Sequence, residues 1–126
     1  MRLALAQTNP TIGDLSANAT EIIRVIGLAR EQHADLVCFP ELALCGYPPK
    51  DLLLHEGFIE ACTTQALRIA KASVGVTVVF GCPTPLKKPH RSGGPIANSL
   101  LAARDGKFIA YYDKRLLPTY DVFDED

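Results

Sequence analysis

The sequence predicts an α/β domain in which amphipathic helices cover a mixed β-sheet. Three observations predict it. Short apolar runs of strand length alternate with longer stretches whose apolar residues recur at helical spacing. The order reads β-α-β-α-β, which calls for helices packed on a sheet. An Asp105-Gly106 step between two further apolar runs signals a two-residue hairpin, so the sheet is mixed rather than purely parallel.

Leu3 to Thr8 is short, apolar and closed by Asn9-Pro10, and reads as a buried strand. Thr11-Ile12-Gly13-Asp14 is a turn, with Asp14 or Ser16 available to cap a helix. Leu15, Ala19, Ile22, Ile23, Ile26 and Ala29 set that amphipathic helix, which runs to about Gln32, with Glu21, Arg24 and Glu31 largely outside the stripe. Asp35 to Pro40 is a second short strand. Glu41 to Asp51 is irregular, broken by Gly46 and Pro48-Pro49. Phe58, Ile59, Cys62, Ala66, Ile69 and Ala70 mark a second amphipathic helix. Val74 to Phe80 is β-branched and is expected to end at Gly81-Cys82-Pro83. Leu86 to Pro95 is a polar loop whose Lys87, Lys88, His90 and Arg91 read as solvated cations. Ile96 to Arg104 and Lys107 to Asp113 are the hairpin strands, and an aromatic, acidic stretch runs from Lys114 to Asp126. No repeat or linker divides the chain, so residues 1–126 read as one domain or part of one.

With 126 residues, 48% hydrophobic and 21% charged, the chain can bury a real core and is globular rather than disordered. A formal net charge of −1 leaves no electrostatic footprint for nucleic acid or an anionic membrane. No apolar stretch approaches the ~20 residues that span a bilayer, and Met1-Arg2 runs directly into a strand-like segment rather than a signal peptide. Cys38, Cys45, Cys62 and Cys82 match no metal-binding spacing and read as small hydrophobes in a reducing, cytoplasmic compartment. No metal site is expected.

Two residues stand where chemistry is done. Glu41 follows the apolar run Leu36-Val37-Cys38-Phe39-Pro40 directly, and strand period places Val37, Phe39 and Glu41 on one face. A carboxylate at the C-terminal mouth of a buried strand occupies the usual site of α/β proteins. Partial desolvation there would raise its pKa toward that of a general base. On spacing alone, a capping or surface glutamate is the commoner explanation. Lys114 ends the run Phe108-Ile109-Ala110-Tyr111-Tyr112-Asp113, on the face of Phe108, Ala110 and Tyr112. It is placed to stabilise an oxyanion, although a snorkelling strand-end lysine is the commoner explanation. His33, His55 and His90 pair with no carboxylate at metal spacing, and no helix follows Gly93-Gly94 to make a phosphate loop. None of the cysteines has a local pattern that would activate a thiolate.

Three segments together resemble the nitrilase, or carbon–nitrogen hydrolase, superfamily. They are the opening strand Leu3-Ala4-Leu5-Ala6-Gln7-Thr8-Asn9-Pro10, the string Phe39-Pro40-Glu41-Leu42-Ala43-Leu44-Cys45-Gly46-Tyr47, and Tyr112-Asp113-Lys114-Arg115-Leu116-Leu117-Pro118. The resemblance implies that Glu41 and Lys114 are two of the family's three catalytic residues. The third is a cysteine nucleophile. The resemblance also implies an α-β-β-α sandwich, of which this chain is roughly the first half. Gly46-Tyr47-Pro48-Pro49-Lys50-Asp51-Leu52-Leu53 and Leu117-Pro118-Thr119-Tyr120-Asp121-Val122-Phe123-Asp124-Glu125 are similar to the glutaminase domains of the glutamine-dependent NAD+ synthetase family. Such domains hydrolyse glutamine to glutamate and ammonia, which an ATP-dependent synthetase domain uses to amidate deamido-NAD+.

The resemblance covers essentially the whole chain, and what it implies for the site is specific. Tyr47, Tyr120, Phe123 and Glu125 would line the glutamine pocket, the carboxylate meeting the substrate's ammonium group and the aromatic rings its stem. Tyr47 and Phe123 as plain loop anchors are the alternative. In the family the nucleophilic cysteine lies after the lysine, and no cysteine among residues 1–126 matches its motif, so the chain by itself is expected to be inactive. The implied partners are L-glutamine, a C-terminal synthetase domain that would require ATP and Mg2+, and further copies in a homo-oligomer. No cofactor is expected in this chain. The alternatives are an amidase or ω-amidase-like relative, and a non-catalytic half-domain with an assembly role.

Overall fold

A computed structural model describes residues 1–86 and 96–116. The elements run β1 (Leu3–Leu5), α1 (Leu15–Glu31), β2 (Leu36–Cys38), a 3-10 turn (Lys50–Leu54), α2 (Phe58–Ala72), β3 (Thr77–Pro85), β4 (Ile96–Arg104) and β5 (Lys107–Asp113). The alternation of strand and helix, the two helices and the hairpin follow the expected plan.

The five strands form one sheet in the order β1-β2-β3-β4-β5. The first three are parallel and the last two antiparallel. Consecutive parallel strands joined by right-handed crossovers put both helices on the same face. That face is the core. Val37, Val78 and Phe80 are fully buried there in one cluster with Ile22 and Ile26 of α1 and Cys62, Ala66 and Ile69 of α2. Asp14 caps α1 by accepting from the Ala17 amide at 3.1 Å.

The opposite face is uncovered. Leu3 (47%), Leu5 (72%), Leu100 (45%) and Tyr112 (57%) are exposed there, large apolar side chains that neither helix covers. Among the described residues no helix is long and apolar enough to cross a membrane.

Several boundaries differ from the sequence reading, and β2 is shorter than Asp35 to Pro40, spanning Leu36–Cys38. β1 stops at Leu5 rather than Thr8, where its ladder with β2 ends at Leu5 opposite Cys38. β3 begins at Thr77 rather than Val74, because Gly75 turns the chain with φ +77°. β3 also runs through Gly81-Cys82-Pro83 to Pro85. β2 pairs with β3 only as far as Val79, so Pro83 lies where one edge of β3 has no strand beside it, and proline is tolerated there. The hairpin is as expected. Asp105 (φ +50°) and Gly106 (φ +83°) are both left-handed, as a type I′ turn requires.

Candidate active site

Glu41 is placed by a buried turn. β2 ends at Cys38, and the Phe39 amide still donates to the Val79 carbonyl at 2.9 Å. The chain then reverses. Cys45 and Gly46 both donate to the Leu42 carbonyl, at 3.1 and 2.8 Å, and Leu42 itself has φ +49°. Leu42, Ala43, Leu44 and Cys45 go into the core, which leaves the Glu41 side chain facing out. A left-handed leucine is strained, and such strain persists only where packing enforces it.

Two features enforce it. The turn sits directly on β3 at Gly81, whose carbonyl oxygen accepts from the Leu44 amide at 3.3 Å. A Cβ at Gly81 would lie 2.2 Å from the Leu42 nitrogen, so only glycine fits. From below, the buried Asn18 of α1 donates to the carbonyls of Leu44 (3.0 Å) and Thr11 (2.7 Å) and accepts from the Thr11 amide (3.0 Å).

Lys114 follows β5, and its amide donates to the Asn98 carbonyl on β4 at 2.8 Å. Its Nζ reaches Glu41 Oε1 at 2.9 Å, closing a pair separated by 73 residues. Asn98 Nδ2 donates to the same oxygen at 2.8 Å. The two residues singled out in the sequence are therefore in contact, and a third residue completes the group.

Some details of the sequence reading are corrected. Glu41 does not share the face of Val37 and Phe39. Those two lie in the core, whereas the Glu41 carboxylate meets Asn98 and Lys114 on the uncovered side of the sheet, because the strand has ended and the turn sets its direction. Phe108 does not share the face of Ala110, Tyr112 and Lys114. A bulge between Ala102 and Ala103 of β4 leaves Ile109 of β5 unpaired, and the alternation shifts by one residue. The Glu41 pKa is not raised. Partial burial pushes it up, but the hydrogen bonds from Lys114 and Asn98 and the Lys114 charge outweigh that and hold it below the ordinary carboxylate range. The carboxylate is half exposed at 49%, which favours its ionised form further.

Asn98 carries no signal in the sequence beyond being a polar residue inside an apolar strand. Counting outward from Asp105-Gly106 would pair it with Asp113; the bulge brings Lys114 opposite instead.

Tyr47 lies on the same loop as Glu41, partly buried against the core cluster. Tyr120, Phe123 and Glu125 lie outside the described residues, as do His90 and the basic loop. Cys45, Cys62 and Cys82 are buried and Cys38 is half-buried, all as free thiols. Burial pushes the Cys45 thiol up to about 12, and the contact with Cys62 together with burial pushes Cys82 up as well. Cys45 and Cys82 are therefore not poised for attack, and Cys62, whose thiol the hydrogen bond with Cys82 holds below its ordinary value, is fully buried in the core. A cavity of about 730 Å³ lined by Cys82, Leu101, Phe108, Tyr111 and Asp113 lies on the other face of the sheet, and neither Glu41 nor Lys114 lines it. Volume alone does not make it the site; the convergent charged groups are elsewhere.

The carbon-nitrogen hydrolase family model matches residues 2–125. The glutamine-dependent NAD+ synthetase of Synechocystis sp. is 44% identical over 126 residues, covering 98% of this chain and 23% of that protein. The synthetase of Xanthomonas campestris is 42% identical, covering 99% of this chain and 22% of its own length. Among solved structures, the glutamine-dependent NAD+ synthetase of Acinetobacter baumannii in complex with ADP matches with a TM-score of 0.88 at 32% identity, over 98% of this chain and 22% of that one. An amidase from Nesterenkonia sp. matches with a TM-score of 0.79 at 25% identity, over 99% of this chain and 46% of that one. The chain thus spans about a fifth of the length of the synthetases it matches.

Proposed function

The chain belongs to the carbon–nitrogen hydrolase family, and from that premise we propose that it is part of the glutaminase domain of a glutamine-dependent NAD+ synthetase. The observation that carries this reading is the 2.9 Å contact between Lys114 Nζ and Glu41 Oε1, two residues brought together from distant parts of the chain. The identities to synthetases over nearly the whole chain favour glutamine over simpler amides as the substrate. The amidase likeness is weaker and concerns a relative.

Glu41 is ionised at neutral pH and takes the proton of a cysteine thiol. The thiolate attacks the side-chain carbonyl of glutamine. Protonation removes the charge that holds Lys114, so the lysine is released to stabilise the tetrahedral oxyanion. Glu41 returns its proton to the departing ammonia. Water, deprotonated by Glu41 in turn, attacks the thioester carbonyl, glutamate is released, and Glu41 passes the proton to the departing cysteine sulfur. Cys45, Cys62 and Cys82 are buried, and none of the four cysteines, Cys38 included, lies in the family's nucleophile motif, so the nucleophile is assigned to sequence outside residues 1–126. Tyr47, Tyr120, Phe123 and Glu125 are assigned to the glutamine pocket. ATP and Mg2+ belong to the synthetase domain, and no residue of this chain is assigned to them. Four unpaired cysteines fit a cytoplasmic location. The uncovered apolar sheet face fits packing against the rest of the domain and, through it, a homo-oligomer.

The test is ammonia release from L-glutamine. This chain alone releases none. Release that Glu41→Ala abolishes would put the nucleophile among Cys38, Cys45, Cys62 and Cys82 and overturn this account. In the longer protein, Glu41→Ala and Lys114→Ala each remove glutamine-dependent NAD+ formation but leave formation from free ammonia. Undiminished use of glutamine by either variant would refute the reading.

A further inference from the structure

We propose that Asn98 is a positioning residue of this site, pinning one oxygen of Glu41 so that the other oxygen handles the proton. The chemistry rests on the glutaminase reading above; the contact rests on geometry alone. Asn98 Nδ2 lies 2.8 Å from Glu41 Oε1, the same oxygen that Lys114 Nζ holds at 2.9 Å. The Asn98 carbonyl also accepts from the Lys114 amide at 2.8 Å, so a single residue of β4 touches both charged partners. The side-chain amide has only one workable orientation. Turning Oδ1 toward the carboxylate would face acceptor to acceptor.

The two donors on Oε1 do different jobs. The lysine's hold depends on charge. Once Glu41 takes the nucleophile's proton on Oε2, the carboxyl group is neutral and no longer attracts the Lys114 charge, which turns to the oxyanion. Asn98 is neutral throughout, so its bond survives that step. Oε1 becomes the carbonyl oxygen of the acid and still accepts from Nδ2. The O–H therefore stays on Oε2, aimed at the departing ammonia. Without Asn98, a carboxyl group released by Lys114 is free to turn about its last torsion, which has only a broad preference. The proton would then be delivered from a wandering oxygen.

The experiment tracks the Glu41 carboxyl group directly, by carbon-13 NMR titration of this chain and of Asn98→Leu and Asn98→Asp. The leucine substitution keeps the size and removes the donor. The aspartate substitution keeps the shape and puts a second acceptor against Oε1. The Glu41 midpoint is expected to move upward in the first variant and further upward in the second. Unchanged midpoints overturn the proposal, and if Asn98→Leu fails to fold, the near-isosteric Asn98→Asp carries the test by itself. In the longer protein, Asn98→Leu is expected to lower kcat by about ten- to a hundredfold. KM for glutamine should hold, and the acid limb of the kcat/KM profile should move to higher pH. A full kcat with an unmoved acid limb overturns the proposal as well. A protein that hydrolyses no glutamine, but whose Glu41 midpoint still moves with Asn98, supports the hold on Glu41 and sinks the glutaminase reading alone.

Discussion

Replacing Gly81 with alanine should displace Glu41 without touching it. The added Cβ would stand 2.2 Å from the Leu42 nitrogen and 3.1 Å from both the Glu41 carbonyl carbon and the Leu42 Cα. These are backbone atoms of a turn packed into the core, so no side chain can swing aside. Reaching ordinary contact requires the turn to withdraw by roughly 1 Å or more. Overpacking of this kind costs about 1–3 kcal/mol. The same retreat pulls the carboxylate off bonds of 2.8 and 2.9 Å. A misplacement near 1 Å costs on the order of a hundredfold in rate. Urea unfolding at neutral pH gives the stability loss, and NMR titration of Glu41 gives the displacement, as an upward move of its midpoint. Gly27→Ala is the control. Gly27 lies in α1 with nothing within 4 Å of its added Cβ, and the change should stabilise by about 0.5–1 kcal/mol. If Gly81→Ala unfolds at the same urea concentration as the parent and leaves the Glu41 midpoint in place, the seat on Gly81 does not position the base.

The Glu41 pair contributes to stability in a definite pH window. Its carboxyl is held below the ordinary value of 4.5, so the contribution is present above that value and is lost as pH falls through the folded-state pKa. Glu41→Gln should therefore cost stability at neutral pH, by no more than about 1 kcal/mol for a half-exposed pair. That gap should close in acid; a gap that widened instead would contradict the assignment. Thiol labelling of the native chain should modify Cys38 alone, with Cys45, Cys62 and Cys82 reacting only in denaturant, because those three are buried. Rapid native labelling of any of the three would show that the core is not closed as described. The exposed row Leu3, Leu5, Leu100 and Tyr112 should make this chain self-associate. Light scattering that shows a stable monomer at high concentration would rule that out.

Much of this protein was legible in its residues. Leu15, Ala19, Ile22 and Ile26 recur at helical spacing because one side of a helix must be buried, and all four are buried on α1. Asp105-Gly106 specifies a hairpin because few residue pairs accept left-handed conformations in succession, and both do. The strings around Glu41 and Lys114 named two chemical residues, and they meet. Local chemistry of this kind acts over a few bonds, so the order of residues determines it. What the sequence left open depends on contacts between distant segments. Neither the β-branched run before Gly81 nor its Cys82-Pro83 successor reveals that a turn forty residues earlier rests on that glycine, and so β3 was expected to stop there. The direction of the Glu41 pKa shift comes from Asn98 on β4 and Lys114 just past β5, which desolvation at a strand end could not foretell. The face of Lys114 is the sharpest case. Side chains alternate with period two, so a slip of one residue sends every side chain to the other face. Without the unpaired Ile109, Lys114 would fall opposite Ala97, which is on the face of β4 shared with the buried Leu101 and Ala103, and would point away from Glu41. Only the packing of β5 on β4 decided that register.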